Sequence, residues 1–155
     1  MFGKECLDTL SAAARSNPRL RKNHDFHAEA SHPAQRLLNA VEPGSYIRPH
    51  RHSQALKDET LIAVRGAFGI VFFDESGAVS STAVIRAAGV AIGVNIPQRV
   101  FHSLVSLEPG SVFFEAKAGP YDPQSDKECP DWAPPETDPE AKLYVRRMER
   151  LFVAV

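Results

Sequence analysis

Cysteine is nearly absent: the chain has two, Cys6 and Cys129, near opposite ends and in no CxxC or other zinc-ribbon spacing. That excludes a disulfide-stapled scaffold and a cysteine-ligated zinc module. An excess of charge of one sign is also lacking, with 18 Lys and Arg against 19 Asp and Glu. Bulk electrostatics therefore give no basis for binding nucleic acid or a membrane surface. Nowhere is there a run of about 18 uncharged apolar residues, as a membrane span requires. The start, Met1-Phe2-Gly3-Lys4-Glu5-Cys6, is broken by charge before any apolar stretch of the secretory kind. A reducing, cytoplasmic setting is expected, with neither nucleic acid nor membrane as partner. Internal repeats and low-complexity segments are missing too.

What the chain does have, in 155 residues that suit one domain, is 12 prolines and six histidines. Leu7, Leu10 and Ala13 recur at helical spacing before Asn17-Pro18, which predicts a short amphipathic helix over 4–16. The polar and basic stretch that follows, with His24, His27 and His32, reads as loop or short extended structure, its histidines at the surface. From 35 to 118 the texture is β: short runs rich in Val, Ile, Phe and Leu, broken by Gly, Pro, Ser and Asp. Strands are expected at 35–42, 45–51, 59–65, 68–74, 79–86, 91–96, 100–107 and 111–117, which suits a double-sheet jelly roll. Half of the prolines then fall between Pro120 and Pro139, too dense for helix or strand. That stretch is expected to form a strap along the barrel, with Tyr121 and Trp132 burying apolar surface. Asp138-Pro139-Glu140 announces a last helix over about 139–151. The organisation is thus 1–34 lead-in, 35–118 barrel, and 119–155 strap and helix on the same domain.

The stretch most suggestive of chemistry is Gly44-Ser-Tyr-Ile-Arg-Pro-His50-Arg-His52. If 45–51 is a strand, alternation puts Tyr46, Arg48, His50 and His52 on one face. An inward row of such groups is a poor core, because buried polar groups need partners, whereas a metal satisfies the imidazole nitrogens directly. Glu59 opens the next strand after a loop over 53–58, so its carboxylate can return beside the histidines. His102 opens a late strand after Pro97, and a barrel can bring it across the lumen.

In these residues the sequence resembles the cupin superfamily of small jelly-roll barrels. Gly44, His50, His52, Glu59 and Gly66 follow the order of its first motif, and Pro97 and His102 that of its second. The resemblance implies His50, His52, Glu59 and His102 as ligands of one divalent transition metal ion. Nitrogen and oxygen donors suit Fe, Mn, Co, Ni or Zn. The loop from His52 to Glu59 is longer than the family's usual one, so a three-histidine site without Glu59 stays open. Arg99 stands where the family usually has Gly, and Ser106 where it usually has Asn. A narrower resemblance runs through Arg19–Asn23, Gln35–Asn39, Glu42–His52, Lys57–Thr60 and Phe113–Pro123, which look like the WbuC group of cupin-fold metalloproteins. Some members of that group are encoded among bacterial surface-polysaccharide (O-antigen) genes. Cupins also often pair barrels edge to edge, which implies a homodimer.

Beside the ligands, Arg48, Arg65 and Tyr46 are the candidates for binding substrate. An arginine facing a lumen needs an anion, which a structural partner such as Glu115 or Glu42 or a ligand carboxylate or phosphate would supply equally well. Tyr46 either donates to a ligand or plugs the lumen floor. Tyr46, Lys57 and Glu115 are the available general acids or bases. Two functions follow. One is a metalloenzyme acting on a sugar or other anionic small molecule, by isomerisation or epimerisation, lyase chemistry or oxygenation. The other is a non-catalytic accessory or sensor module that binds metal and sugar without turnover.

Overall fold

The computed structural model describes residues 1–53 and 57–153; residues 54–56 of the expected 53–58 loop lie outside them. Helix α1 (Lys4–Arg15) leads into β1 (Arg21–Asp25) and β2 (Ala34–Val41). Strands β3 (Glu59–Arg65), β4 (Ala67–Phe73), β5 (Val79–Arg86), β6 (Gly93–Ile96), β7 (Phe101–Ser106) and β8 (Ser111–Ala118) follow, and α2 (Ala141–Arg150) comes last. The strands form two antiparallel sheets, β1-β2-β8-β3-β6 and β5-β4-β7, the all-β jelly-roll expected from the strand punctuation.

Side-chain alternation sorts residues between the sheets and outside them. Leu61, Phe68, Ile70, Ile85, Leu104 and Phe113 meet in the lumen, with the Phe68 and Phe113 rings edge-to-face at 5.2 Å. Leu38, Ala40 and Val112, facing away from the lumen, are covered by Leu10 and Ala14 of α1. On the smaller sheet, Val71, Phe73, Phe101 and Val105 are covered by Val145 and Met148 of α2 and by Phe152. Each large apolar side chain so buried contributes about 1.5–3 kcal/mol. The two amphipathic helices therefore close the two faces that the sheets would otherwise expose to water.

Three expectations need correction. The segment 45–51 is not a regular strand; it touches β7 through one isolated bridge, His50 to His102, and the strap through another, Arg51 to Glu128. Pro49 has no N–H to donate to a ladder, so regular pairing stops there. Within the stretch expected to be loop or short extended structure, Arg21–Asp25 forms an edge strand on β2. Its mostly exposed polar residues give no period-two signal; backbone pairing recruits it, and Arg21 adds bonds to the Tyr46 carbonyl and Glu136 at 2.8 Å. In the strap, Trp132 packs against Phe73 and Phe101 at 5.2 and 5.7 Å, but Tyr121 is 40% exposed. The cap at Asp138 holds a turn, with its carboxylate accepting from Glu140 N–H at 2.8 Å, and α2 begins at Ala141.

Gly66, in the tight β3–β4 connection, has φ +70°. A Cβ there would press on the Ser111 side chain and sit 3.0 Å from its Cα. Gly66→Ala is expected to lower unfolding free energy by about 2–4 kcal/mol, from left-handed strain plus overpacking. Urea denaturation would read it; an unchanged midpoint would refute the account.

Candidate metal centre

His102 lies on β7 with its side chain inward, and Glu59 opens β3 opposite Ile96 on β6 and Lys117 on β8. His50 reaches the same point by pairing its backbone with His102 at 3.0 and 2.9 Å. His52 follows two residues on, its carbonyl accepting the Arg99 N–H at 2.9 Å. Arg99 has φ +65°, the left-handed conformation that explains the family's usual glycine at this turn.

All three rings are oriented in one way. Nδ1 of His50 donates to the Arg48 carbonyl at 2.9 Å, Nδ1 of His102 to the Val100 carbonyl at 2.9 Å, and Nδ1 of His52 to the Asp126 carbonyl. A carbonyl only accepts, so each Nδ1 carries the proton and each Nε2 presents a lone pair. Among the described residues, Nε2 of His50 and of His52 are buried with no hydrogen-bond partner. Nε2 of His102 faces Glu59 Oε2 at 3.0 Å, and that of His52 faces it at 3.7 Å. The four donor atoms lie within 4.8 Å of one another, and all four residues are buried. Burial holds the His50 pKa well below the usual imidazole range, with the charges of Lys127 and His102 acting in the same direction. Burial pushes Glu59 up, but the adjacent His102 and His52 rings and the charge of Lys117 prevail and hold its carboxyl well below the ordinary range. Neutral imidazoles and an ionised carboxylate are the ligating forms, and a cation between them would satisfy both orphaned nitrogens. The donor set therefore fits a divalent transition metal.

The support for this cluster comes from the strap. Asp126 is 1% exposed and takes Lys57 Nζ at 2.7 Å and Lys117 Nζ at 3.1 Å. Lys117 continues to Glu115 at 3.1 Å, and Asn39 donates to the other Glu115 oxygen at 2.9 Å. Burial and the charge of Glu59 push Glu115 up to about 7. Lys57, a candidate acid or base from the sequence, is instead committed to this buried pair and to the Pro120 carbonyl at 2.9 Å.

The remaining candidates divide. Glu115 and Arg48 line a cavity of about 410 Å³ together with His50, Glu59 and His102. Arg65 lies elsewhere, bonded to Asp8 at 2.9 Å on α1, because the β-bulge after Ala63 ends the alternation that would have turned it inward. Tyr46 is also outside the cavity lining: its hydroxyl donates to the Pro134 carbonyl at 2.8 Å and its ring packs against Tyr144. Burial raises its pKa. With no strand at 45–51, Ile47 and Arg48 both border the cavity and the expected face is broken. His24, His27 and His32 are not in the cluster; His27 and His32 bond to backbone near β2. Asp126 and Lys127 carry no mark in the sequence, since nothing in a proline-rich strap shows which residues turn inward, whereas Lys117 stands on β8.

Solved structures share this barrel. KdgF from Halomonas sp. aligns with a TM-score of 0.53 at 16% identity, over 70% of this chain and 87% of that one. CapF aligns with a TM-score of 0.57 at 21% identity, over 70% of this chain and 31% of that one. Oxalate decarboxylase from Bacillus subtilis gives 0.53 at 17%, over 70% of this chain and 27% of that one. The chain thus spans less than a third of the last two. At such identities the likeness establishes fold alone: this is a cupin-fold protein, and its lumen carries a buried His/Glu group able to hold a metal ion. Within that class, the chain belongs to the family described as Domain of unknown function (DUF6016), whose profile matches residues 2–85. No curated protein matches it.

Tyr46→Phe deletes one hydrogen bond to the strap. The expected cost is about 1 kcal/mol of stability by denaturation, with affinity for added divalent metal unchanged in a competition titration. A large loss of metal affinity would contradict the peripheral placement.

Proposed function

We propose that the protein is a mononuclear metalloprotein in which His50, His52, Glu59 and His102 hold one divalent transition metal ion, and that it acts on a small sugar or other anionic metabolite. The observation that carries this reading is the convergence of four buried donor atoms, two of them imidazole nitrogens with no partner. When bound, the metal would supply a Lewis acid that polarises a substrate oxygen. Arg48, held by the Ala133 and Pro130 carbonyls at 3.0 and 2.9 Å, orients an anionic group in the same cavity. Glu115 is the candidate acid–base group, its two oxygens fixed by Asn39 and Lys117, so that a proton moves at a defined Oε. The WbuC-like segments extend the reading to bacterial surface-polysaccharide metabolism in the cytoplasm, and to isomerase, epimerase, lyase or oxygenase chemistry.

Protein purified without an affinity tag should contain one divalent ion per chain by elemental analysis, and His50→Ala should lack it. Re-adding metal at about a hundred times Kd stabilises by about 2.7 kcal/mol, roughly 5–10 °C in melting temperature for a chain of this size. Absence of metal, together with melting unaffected by chelator, would sink the proposal. Product formed from small sugars or oxo-acids identifies an enzyme, and saturable binding without product a sensor.

A further inference from the structure

The charges around the cavity do not cancel. Four cations and three carboxylates line it, and the carboxylates are already taken. Glu136, on the strap, is held by Arg19 and Arg21 at 2.7–2.8 Å. Glu115 is held by Lys117 and Asn39, and Glu59 belongs to the metal-ligand cluster, where a bound cation would take up its charge. Two cations remain. Arg48 donates only to neutral carbonyls of the strap. Lys127, one residue beyond the Asp126 that anchors His52, makes no hydrogen bond or ion pair among the described residues, and it borders the cavity alongside His50 and Glu59. It is exposed to solvent yet flanked by protein. That desolvation, with the nearby charge of Lys117, outweighs the attraction of Glu59, Glu115 and Asp126 and holds its pKa below the ordinary lysine range. Two cations that border one cavity without an ion pair among the described residues can attract an anion, and a divalent ion in the adjacent cluster, by taking up the charge of Glu59, would strengthen the attraction.

Size narrows the ligand. The cavity of about 410 Å³ is room enough for a monosaccharide-sized molecule. Carboxylate and phosphate oxygens both match an arginine fork paired with a lysine ammonium.

We propose that Arg48 and Lys127 form an oxyanion subsite facing His50 and Glu59, and that the ligand is a monosaccharide-sized metabolite bearing a carboxylate or phosphate. This deepens, and rests on, the small-ligand reading given above. Lys127 is the specificity residue, and the strap that orients His52 through Asp126 also delivers the charge that selects the ligand.

The test is calorimetric titration of the full chain, loaded with zinc, with glucuronate, glucose 6-phosphate and uncharged glucose. Wild type should bind at least one of the two anions and not glucose; whichever anion binds identifies carboxylate or phosphate as the recognised group. Lys127→Met should weaken that binding tenfold or more, as expected for loss of a charge-assisted hydrogen bond. Lys127→Arg should retain most of it, and zinc content should stay equal in all three proteins. Failure of wild type to bind either anion, equal binding of glucose, or wild-type affinity in Lys127→Met would each overturn the proposal. Zinc content is read separately. Lys127-dependent anion binding by a protein that takes up no zinc would support the subsite and overturn the metal reading.

Discussion

Three buried imidazoles with their Nδ1 protons committed to main-chain carbonyls are the constraint on which the rest of this site depends. Once Nδ1 is the donor, Nε2 can only accept, and the three lone pairs point into one small volume beside a carboxylate. Two of the accepting carbonyls, those of Arg48 and Val100, lie two residues before their own histidines. The third belongs to Asp126, 74 residues away from His52, so ring orientation depends on the strap as well as on the barrel. Outer partners of this kind set tautomer and basicity at metal-binding histidines.

The strap carries charge as well as shape. Lys57, Asp126, Lys117 and Glu115 alternate in sign along a chain of contacts between 2.7 and 3.1 Å, each charge with an opposite neighbour. A buried pair of this sort adds little net stability but is costly to break, since the abandoned partner remains desolvated. Its value here is positional: it holds Asp126 where its carbonyl meets His52. The arginine clamp on Glu136 holds another part of the cavity wall.

The polar cluster is tolerable because it occupies one region of an otherwise apolar lumen. Inward positions on β8 run from Phe113 in the core to Glu115 at the cluster, and on β3 from Ala63 and Leu61 to Glu59. The period-two alternation that builds the core therefore also delivers the ligands. The outer faces are sealed by α1 and α2, which bury Leu38, Val112, Val71 and Val105.

Much of this was legible in the chain. The β texture, the punctuating glycines and prolines, the two terminal helices and the His50, His52, Glu59 and His102 constellation are local patterns, written in residue type and spacing. What local pattern misled on was facing. Tyr46, Arg48 and Arg65 were expected inward by strand alternation, but Pro49 breaks the ladder in one segment and a bulge breaks it before Arg65. Only Arg48 stays at the cavity. Residues 21–25 became a strand with no hydrophobic signal, because an unpaired edge of β2 supplied the hydrogen bonds. The jelly-roll texture was readable from short-range periodicity alone, while His50, His52, Glu59 and His102 were joined into one set by the cupin resemblance. Tertiary structure alone decided that Asp126 orients His52, and that Lys127 faces the cluster unpaired. The strap that carries them has no regular backbone, and its side chains are aimed by long-range packing that no spacing encodes.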